Sequence, residues 1–366
     1  MKQITYSQPD QSPLFRPILR FSIPLMLTGL LQLAYNTADS VVVGRYAGST
    51  SLAAVGATTS IIFLLVTLFN GVSIGTNYLT ARYYGAGDQE AISQTVHCSA
   101  VLSVILGLMA GVVGILFSTP LLELAGAPMD VLPLSSLYLK IYFLGIPALV
   151  AYNFGSAILR AVGDSKTCMV YNMIANGVNV FFNWLLIYGN LGFPALGVAG
   201  ASIATVIGQF VAFAIAISVI LKGNGFLKLE FRKGFKPDRG VLGDILNIGL
   251  PAMVEQLLMR AGIIIYAKTV ASLGTVAYAT HQVCMNIQAL SFMTGQAFAV
   301  SATTLMGQSL GKRRYDMAQA YTSRTRTVGF LFSLVLAAVF ILFGGNIVGL
   351  YNSNPEIIQI GGHIML

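Results

Sequence analysis

The sequence predicts an all-α integral membrane protein: two six-helix bundles related by a pseudo-two-fold axis along the membrane normal, the second bundle truncated. Three observations predict it. The composition is too apolar for solution, charge-free stretches are long enough to cross a bilayer, and the chain repeats itself at a spacing near 226 residues. Of 366 residues, 9% are charged and 55% hydrophobic. Soluble domains carry about 25% charged residues, so there is too little polar surface to cover a core of this size. A soluble enzyme, a nucleic-acid-binding protein and a disordered chain are excluded. Lys and Arg outnumber Asp and Glu by 21 to 13, for a net charge of +8. Such a surplus suits nucleic acid only when it gathers on one patch, and here it follows the loops. Cys98, Cys168 and Cys284 lie in or beside apolar runs without paired spacing, so neither a disulfide framework nor a zinc site is expected.

A span is expected wherever an uncharged interval approaches the roughly 20 residues needed to cross about 30 Å of hydrocarbon. The 18 residues between Arg20 and Asp39 give a first span near 18–42, and the 36 between Arg45 and Arg82 a second near 52–80. Glu90 to Glu123 encloses 32 residues for a third span near 93–117, and Lys140 to Arg160 encloses 19 for a fourth near 134–156. The 55 residues from Lys166 to Lys222 hold two spans, near 168–188 and 196–221. The turn-rich Gly189-Asn190-Leu191-Gly192-Phe193-Pro194 divides them. A seventh span is expected near 242–270 and an eighth near 276–305, the latter inside the 43 uncharged residues from Lys268 to Lys312. The ninth lies near 325–345, between Arg326 and Glu356. Ile357 to Leu366 begins a tenth and is too short to cross. No small-residue cleavage site follows an isolated short apolar region near the start, so no cleavable signal peptide is expected.

Basic residues set the expected orientation. With the N-terminus inside, 17 of the 21 Lys and Arg fall on inner segments and only Arg45 on an outer loop; Lys140, Arg260 and Lys268 fall within spans.

The repeat emerges from short matches. Ile23-Pro24-Leu25-Met26 is answered by Leu250-Pro251-Ala252-Met253, and Ala53-Ala54-Val55-Gly56 by Val276-Ala277-Tyr278-Ala279. Ala81-Arg82-Tyr83-Tyr84-Gly85 is answered by Gly307-Gln308-Ser309-Leu310-Gly311. The offsets are 227, 223 and 226. Six helices separate the two prolines, an even number, so both halves share one orientation. The expected organisation is an N-terminal half over 1–221, a cytoplasmic linker over 222–241 and an incomplete C-terminal half over 242–366. Completing the second half by symmetry would take roughly 80 further residues and bring the total to twelve spans.

Several motifs in order identify a family. Pro24 through Tyr35-Asn36-Thr37-Ala38-Asp39, followed by Val43-Gly44, resembles the first helix of multidrug and toxic compound extrusion (MATE) transporters. Arg82-Tyr83-Tyr84-Gly85-Ala86-Gly87-Asp88 is similar to that family's inner loop. Leu159-Arg160-Ala161-Val162-Gly163-Asp164-Ser165-Lys166 resembles its most recognisable signature, and Gly200-Ala201-Ser202-Ile203-Ala204-Thr205 fits its sixth helix. The pattern looks closest to the bacterial branch whose first helix carries an aspartate. The resemblance implies a secondary antiporter in the bacterial inner membrane, N-terminus cytoplasmic. It would export small organic, often cationic, compounds in exchange for H⁺ or Na⁺ by alternating access.

The residues themselves point to the first and fifth helices. Asp39 stands six residues before Arg45, within the outer half of the bilayer, where an ionisable group is by default functional. Gln32, Tyr35 and Asp39 share a helical face. Asn172, Asn176, Asn179 and Asn183, spaced 4, 3 and 4 apart, draw one polar stripe along the fifth helix. Such a stripe serves either as interhelical glue or as cavity lining. By position, the family's first-half cation site falls on Asp39, Asn179, Asn183 and Thr205. Some relatives carry a second aspartate where Asn183 stands; its absence leaves a single protonatable carboxylate and favours H⁺. Burial in a helix bundle disfavours the charged form of Asp39, bringing protonation within reach near neutral pH.

In the seventh helix, Glu255, Gln256 and Arg260 are candidates for a second-half cavity. Glu255 and Arg260 lie about 140° apart, so they would pair only through neighbouring helices. Pro24 and Pro251 are candidate hinges. His97 and His281 read as packing or hydrogen-bonding residues, and the methionines mostly as packing with some adaptable cavity lining. No catalytic group, metal site, cofactor or nucleic-acid partner is expected; the partners are small organic molecules and the bilayer, and the chain is expected to be a monomer. The competing reading within the same superfamily is a flippase for lipid-linked precursors, which would want a strongly cationic cavity. A membrane-embedded enzyme would need a His and Asp cluster near one face.

Overall fold

The computed structural model describes residues 14–46, 48–222, 237–351 and 354–365, without the side chains of 36–46, 48–52, 275, 350 and 351. Ten α-helices follow in order: α1 (Phe15–Tyr46), α2 (Gly48–Ala86), α3 (Gln89–Leu124), α4 (Leu132–Ala161), α5 (Ser165–Tyr188), α6 (Val198–Lys222), α7 (Arg239–Ala271), α8 (Thr275–Gly311), α9 (Tyr315–Tyr351) and α10 (Pro355–Ile364). Among the described residues there is no strand, and nine helices are long and apolar enough to cross a membrane.

Most helices overrun the spans expected from hydropathy. α2 has 39 residues and α3 has 36, close to 55 Å each at 1.5 Å per residue. Most of the charges that bounded the expected spans fall inside helices, and neighbouring aspartates cap helix starts. Asp88, Asp164 and Asp238 accept hydrogen bonds from Ala91 N, Thr167 N and Gly240 N, each at a helix start. Gly87 and Gly163, at φ +73° and +94°, supply the left-handed residue before the first two of those caps. α7 begins at Arg239 rather than 242, since Asp238 caps it. The linker residues 223–236 lie outside the described residues.

α4 is the centre of the first six helices. It packs against α2, α3 and α6, while α5 lies against α6 and α1. Its Tyr138, Leu139, Tyr142, Phe143, Ile146, Val150 and Phe154 fill the largest apolar core. In the second set, α8 packs on α9 and α10, with Val283, Ile287, Val348 and Ile357 at the centre. α1–α8, α2–α7 and α2–α8 packing joins the two sets.

The contacts across this junction come in matched pairs. A Cβ on Gly85 would strike the Gln308 backbone, and one on Gly311 would strike the Arg82 backbone. Arg82 and Gln308 are repeat mates at an offset of 226, as are Gly85 and Gly311. Ala81 and Gly307, also mates, touch each other: a Cβ on Gly307 would stand 3.0 Å from the Ala81 Cβ. Ser22 of α1 bonds Ser301 of α8 at 2.6 Å, and their mates Gly249 and Gly75 approach within 3.2 Å of a Cβ. When i meets j and the mate of i meets the mate of j, the contact is isologous, and a two-fold axis passes through it. Here it passes between Ala81 and Gly307. Both helices continue from that point to further contacts with rising residue number, so they run the same way and the axis runs along them. These mates keep an offset of 226 or 227, and the helix starts Gly48 and Thr275 are 227 apart. The pairing of Ala53–Gly56 with Val276–Ala279 at 223 is therefore one turn out of register; short Ala/Val runs match almost anywhere.

Pro24 and Pro251 lie inside α1 and α7, and both helices continue through them. The Thr28 hydroxyl donates to the Pro24 carbonyl at 2.8 Å, a back-bond that favours bending.

Candidate functional site

Three of the four residues expected to hold the coupling ion form one hydrogen-bond chain. Asn183 Nδ2 donates to Asn179 Oδ1 at 2.7 Å, Asn179 Nδ2 donates to Thr205 Oγ1 at 3.2 Å, and Thr205 Oγ1 donates to the Ala201 carbonyl at 3.0 Å. Asn179 and Asn183 are buried, at 3% and 2% exposure. Gly208 lets α6 come this close: a Cβ there would lie 3.2 Å from the Asn179 Cβ. α1 packs against α5, and Asp39 sits in the second half of α1. The Asp39 side chain lies outside the described residues.

The Asn stripe divides in its roles. Lower on α5, Asn172 accepts from the Tyr152 hydroxyl at 2.5 Å and donates to the Cys168 carbonyl at 2.9 Å. Tyr152 also meets Tyr171 edge to face, and Tyr171 bonds Ser156 at 2.6 Å. That end ties α4 to α5. The Asn179–Asn183 end instead ties α5 to α6 beside α1. Buried amides and hydroxyls offer oxygen ligands and proton positions but no compensating charge, so a bound cation here would require a carboxylate from a neighbouring element.

The α7 candidates separate. Arg260 is half-buried and its guanidinium lies 5.4 Å from the centre of the Phe63 ring of α2. Gln256 is half-buried on the α2-facing side, and Glu255 is exposed. The Glu255–Arg260 pair through neighbouring helices does not form; the one ion pair among the described residues is Arg314–Asp316 at 2.9 Å. The reason is geometric. Ile245, Gly249, Met253 and Arg260 form the α2-facing stripe, and Glu255 lies on the other side of the helix. His281 is buried against the Tyr266 ring, 5.1 Å away.

Sequence reading missed the residues that close one end of the junction. Asn77 of α2 donates to the Ala157 carbonyl at 3.0 Å and accepts from Thr304 of α8 at 3.4 Å. Gln308 of α8 donates to the Ala161 carbonyl at 2.7 Å, at the end of α4. With the Gly85–Gln308 and Gly311–Arg82 approaches, these knit α2, α4 and α8 together beside Arg82, Arg160 and Lys312, the basic end of the bundle.

A family model, MatE, matches residues 24–185 and again 251–366. The chain belongs to the MatE family. Its two matched segments open at Pro24 and Pro251, the prolines of the repeat. Among relatives, the protein named "probable multidrug resistance protein NorM" from Thermotoga maritima is 26% identical over 354 residues, covering 94% of this chain and 74% of its own. A solved outward-facing multidrug resistance MATE transporter of the MOP superfamily superposes with a TM-score of 0.88 at 27% identity, over 97% of this chain and 78% of its own. A MOP superfamily transporter from Pyrococcus furiosus superposes with a TM-score of 0.87 at 27% identity, over 97% of this chain and 77% of its own. This MatE chain is thus a multi-span membrane protein of the MATE multidrug efflux transporter family.

Proposed function

We propose that this MatE protein is a secondary active antiporter, exporting small organic, often cationic, compounds in exchange for H⁺ by alternating access. It would sit in a bacterial inner membrane with residues 1–221 and 242–366 as its two halves, and the N-terminus and the 222–241 linker in the cytoplasm. The observation that carries the reading is the buried Asn183–Asn179–Thr205 chain, set between α5 and α6 against the helix that holds Asp39. The polar groups that α5 and α6 present here, Asn179, Asn183 and Thr205, are neutral, and on this reading the Asp39 carboxylate stands beside them. A proton neutralises it fully, whereas Na⁺ would gain from the second negative charge that Asn183 does not supply.

The interlocked glycines at the basic end support a state closed toward the cytoplasm, with 17 basic residues expected on that face. Protonation of Asp39 would favour one packing of α1 on α5, and its loss the other, with Pro24 and Pro251 as hinges. Arg260, over the Phe63 ring, Gln256, and Glu255 on the opposite face of α7 are the second-half candidates for contact with substrate.

The test is efflux of a fluorescent organic cation from proteoliposomes under an imposed pH or Na⁺ gradient. Asp39→Asn should fold and bind the dye yet lose gradient-driven efflux. Undiminished pH-driven efflux by Asp39→Asn would overturn the assignment and move the coupling role to Glu255.

A further inference from the structure

The groove between α3 and α4, at the end of the bundle opposite the basic end, carries features that the proposed transport cycle does not draw on. It encloses about 330 Å³ and is lined by Thr119, Leu132, Pro133, Ser136, Leu137 and Lys140. Thr119 Oγ1 and Ser136 Oγ lie 2.8 Å apart at its base. One hydroxyl donates to the other, which leaves the second hydroxyl hydrogen to donate elsewhere.

Lys140 does not face the protein interior. It stands three residues after Leu137 and four before Leu144, which are 45% and 61% exposed, so the three share one face. Across the groove, α3 presents Val113, Leu116 and Phe117, at 49%, 70% and 53% exposure. In a helix of this class, exposed apolar side chains of this kind face lipid. Lys140 lies eight residues into α4, about 12 Å from its start. α4 itself is about 45 Å long, so Lys140 falls near the edge of a hydrocarbon core of roughly 30 Å. Among the described residues no carboxylate pairs with it. A lysine so placed is costly unless its ammonium reaches up to a headgroup.

We propose that this groove is a binding site for an anionic phospholipid. The Lys140 ammonium pairs with the headgroup phosphate, the free hydroxyl hydrogen of the Thr119–Ser136 pair is donated to one of its oxygens, and the acyl chains lie along Leu137, Leu144 and the apolar face of α3. Charge complementarity selects the occupant: the site offers one cation, one free hydroxyl donor and a continuous apolar flank, a combination that matches a lipid phosphate and its chains. Free phosphate would use only the polar half.

The test is native mass spectrometry of the purified protein titrated with phosphatidylglycerol or phosphatidylcholine. The first phosphatidylglycerol should bind about tenfold more tightly than phosphatidylcholine. Lys140→Gln should abolish the difference, and Lys140→Arg should keep it. Excess inorganic phosphate should leave the lipid in place; displacement would assign the groove to free phosphate and overturn the lipid reading. Equal lipid binding by parent and Lys140→Gln would also overturn it. A second measurement needs no variant: amine labelling of the unaltered protein should be slower at Lys140 in phosphatidylglycerol nanodiscs than in phosphatidylcholine ones. Equal labelling would sink the site.

Discussion

Adding one methyl group at the crossing of α2 and α8 should pry open the basic end of the transporter. In the closed junction a Cβ on Gly85 would lie 2.6 Å from the Gln308 carbonyl carbon and 2.7 Å from its Cα, both backbone atoms that cannot swing aside. The Gln308 carbonyl oxygen lies nearer still, so restoring ordinary contacts of about 3.4 Å requires the helices to part by more than 0.8 Å. Overpacking of this kind costs about 1–3 kcal/mol. The cost falls only on the state in which α2 and α8 cross here, so Gly85→Ala should shift the balance toward the state open at the basic end by about 5- to 150-fold. Gly311→Ala should act alike, because its Cβ meets Arg82 and lies 2.7 Å from Ala86 N. Since one separation relieves both clashes, the double variant should shift less than the sum of the two. The assay is the rate of maleimide labelling at Ser309→Cys, whose parent side chain is buried at 6% exposure. Gly262→Ala, with nothing within 4 Å of its Cβ, is the control. A labelling rate for Gly85→Ala within twofold of the control would refute the reasoning.

Three further outcomes are expected. Asn183→Asp should add a second carboxylate beside Asn179 and move efflux toward dependence on Na⁺, measured as the response to an imposed Na⁺ gradient at constant pH. Asn179→Leu removes the acceptor of Asn183 and the donor to Thr205. It should cost about 1–3 kcal/mol of stability, measured by unfolding in detergent, whereas changing the exposed Phe181 to Leu should cost far less. A cysteine placed in the 125–131 turn should react with a membrane-impermeant reagent added outside intact cells, and one replacing Arg232 should not; the reverse pattern would invert the topology.

The helices were legible in the sequence because bilayer thickness and charge cost are strong, local constraints. Their true ends were not, because hydropathy sees the edge of the hydrocarbon while the backbone obeys its caps. Asp88 and Asp164 read only as parts of loop motifs and Asp238 carried no signal of its own, yet all three cap helix starts. The polar stripe on α5 was legible for the same reason as the spans: four amides on one helical face of a membrane helix demand partners. That Asn172 would serve α4 while Asn179 and Asn183 serve α6 was not, since helical periodicity fixes a face but not the neighbour it meets.

The junction between the halves was present in the sequence in a form that spacing alone could not decode. The match of Ala81–Gly85 with Gly307–Gly311 reads as two copies of one motif, which says only that the halves share a fold. In the folded protein the two copies are each other's partners, and Ala81 and Gly307 touch across the axis. A motif on a two-fold axis must be small enough to meet itself, which explains why glycine closes both segments. Asn77 and Gln308 escaped for the complementary reason. Asn77 belongs to no motif, Gln308 entered only as one position of the repeat match, neither carries charge, and both acquire their roles from backbone carbonyls of α4, at Ala157 and Ala161. Every residue presents the same carbonyl, so no side-chain pattern in α4 marks where the bonds will land.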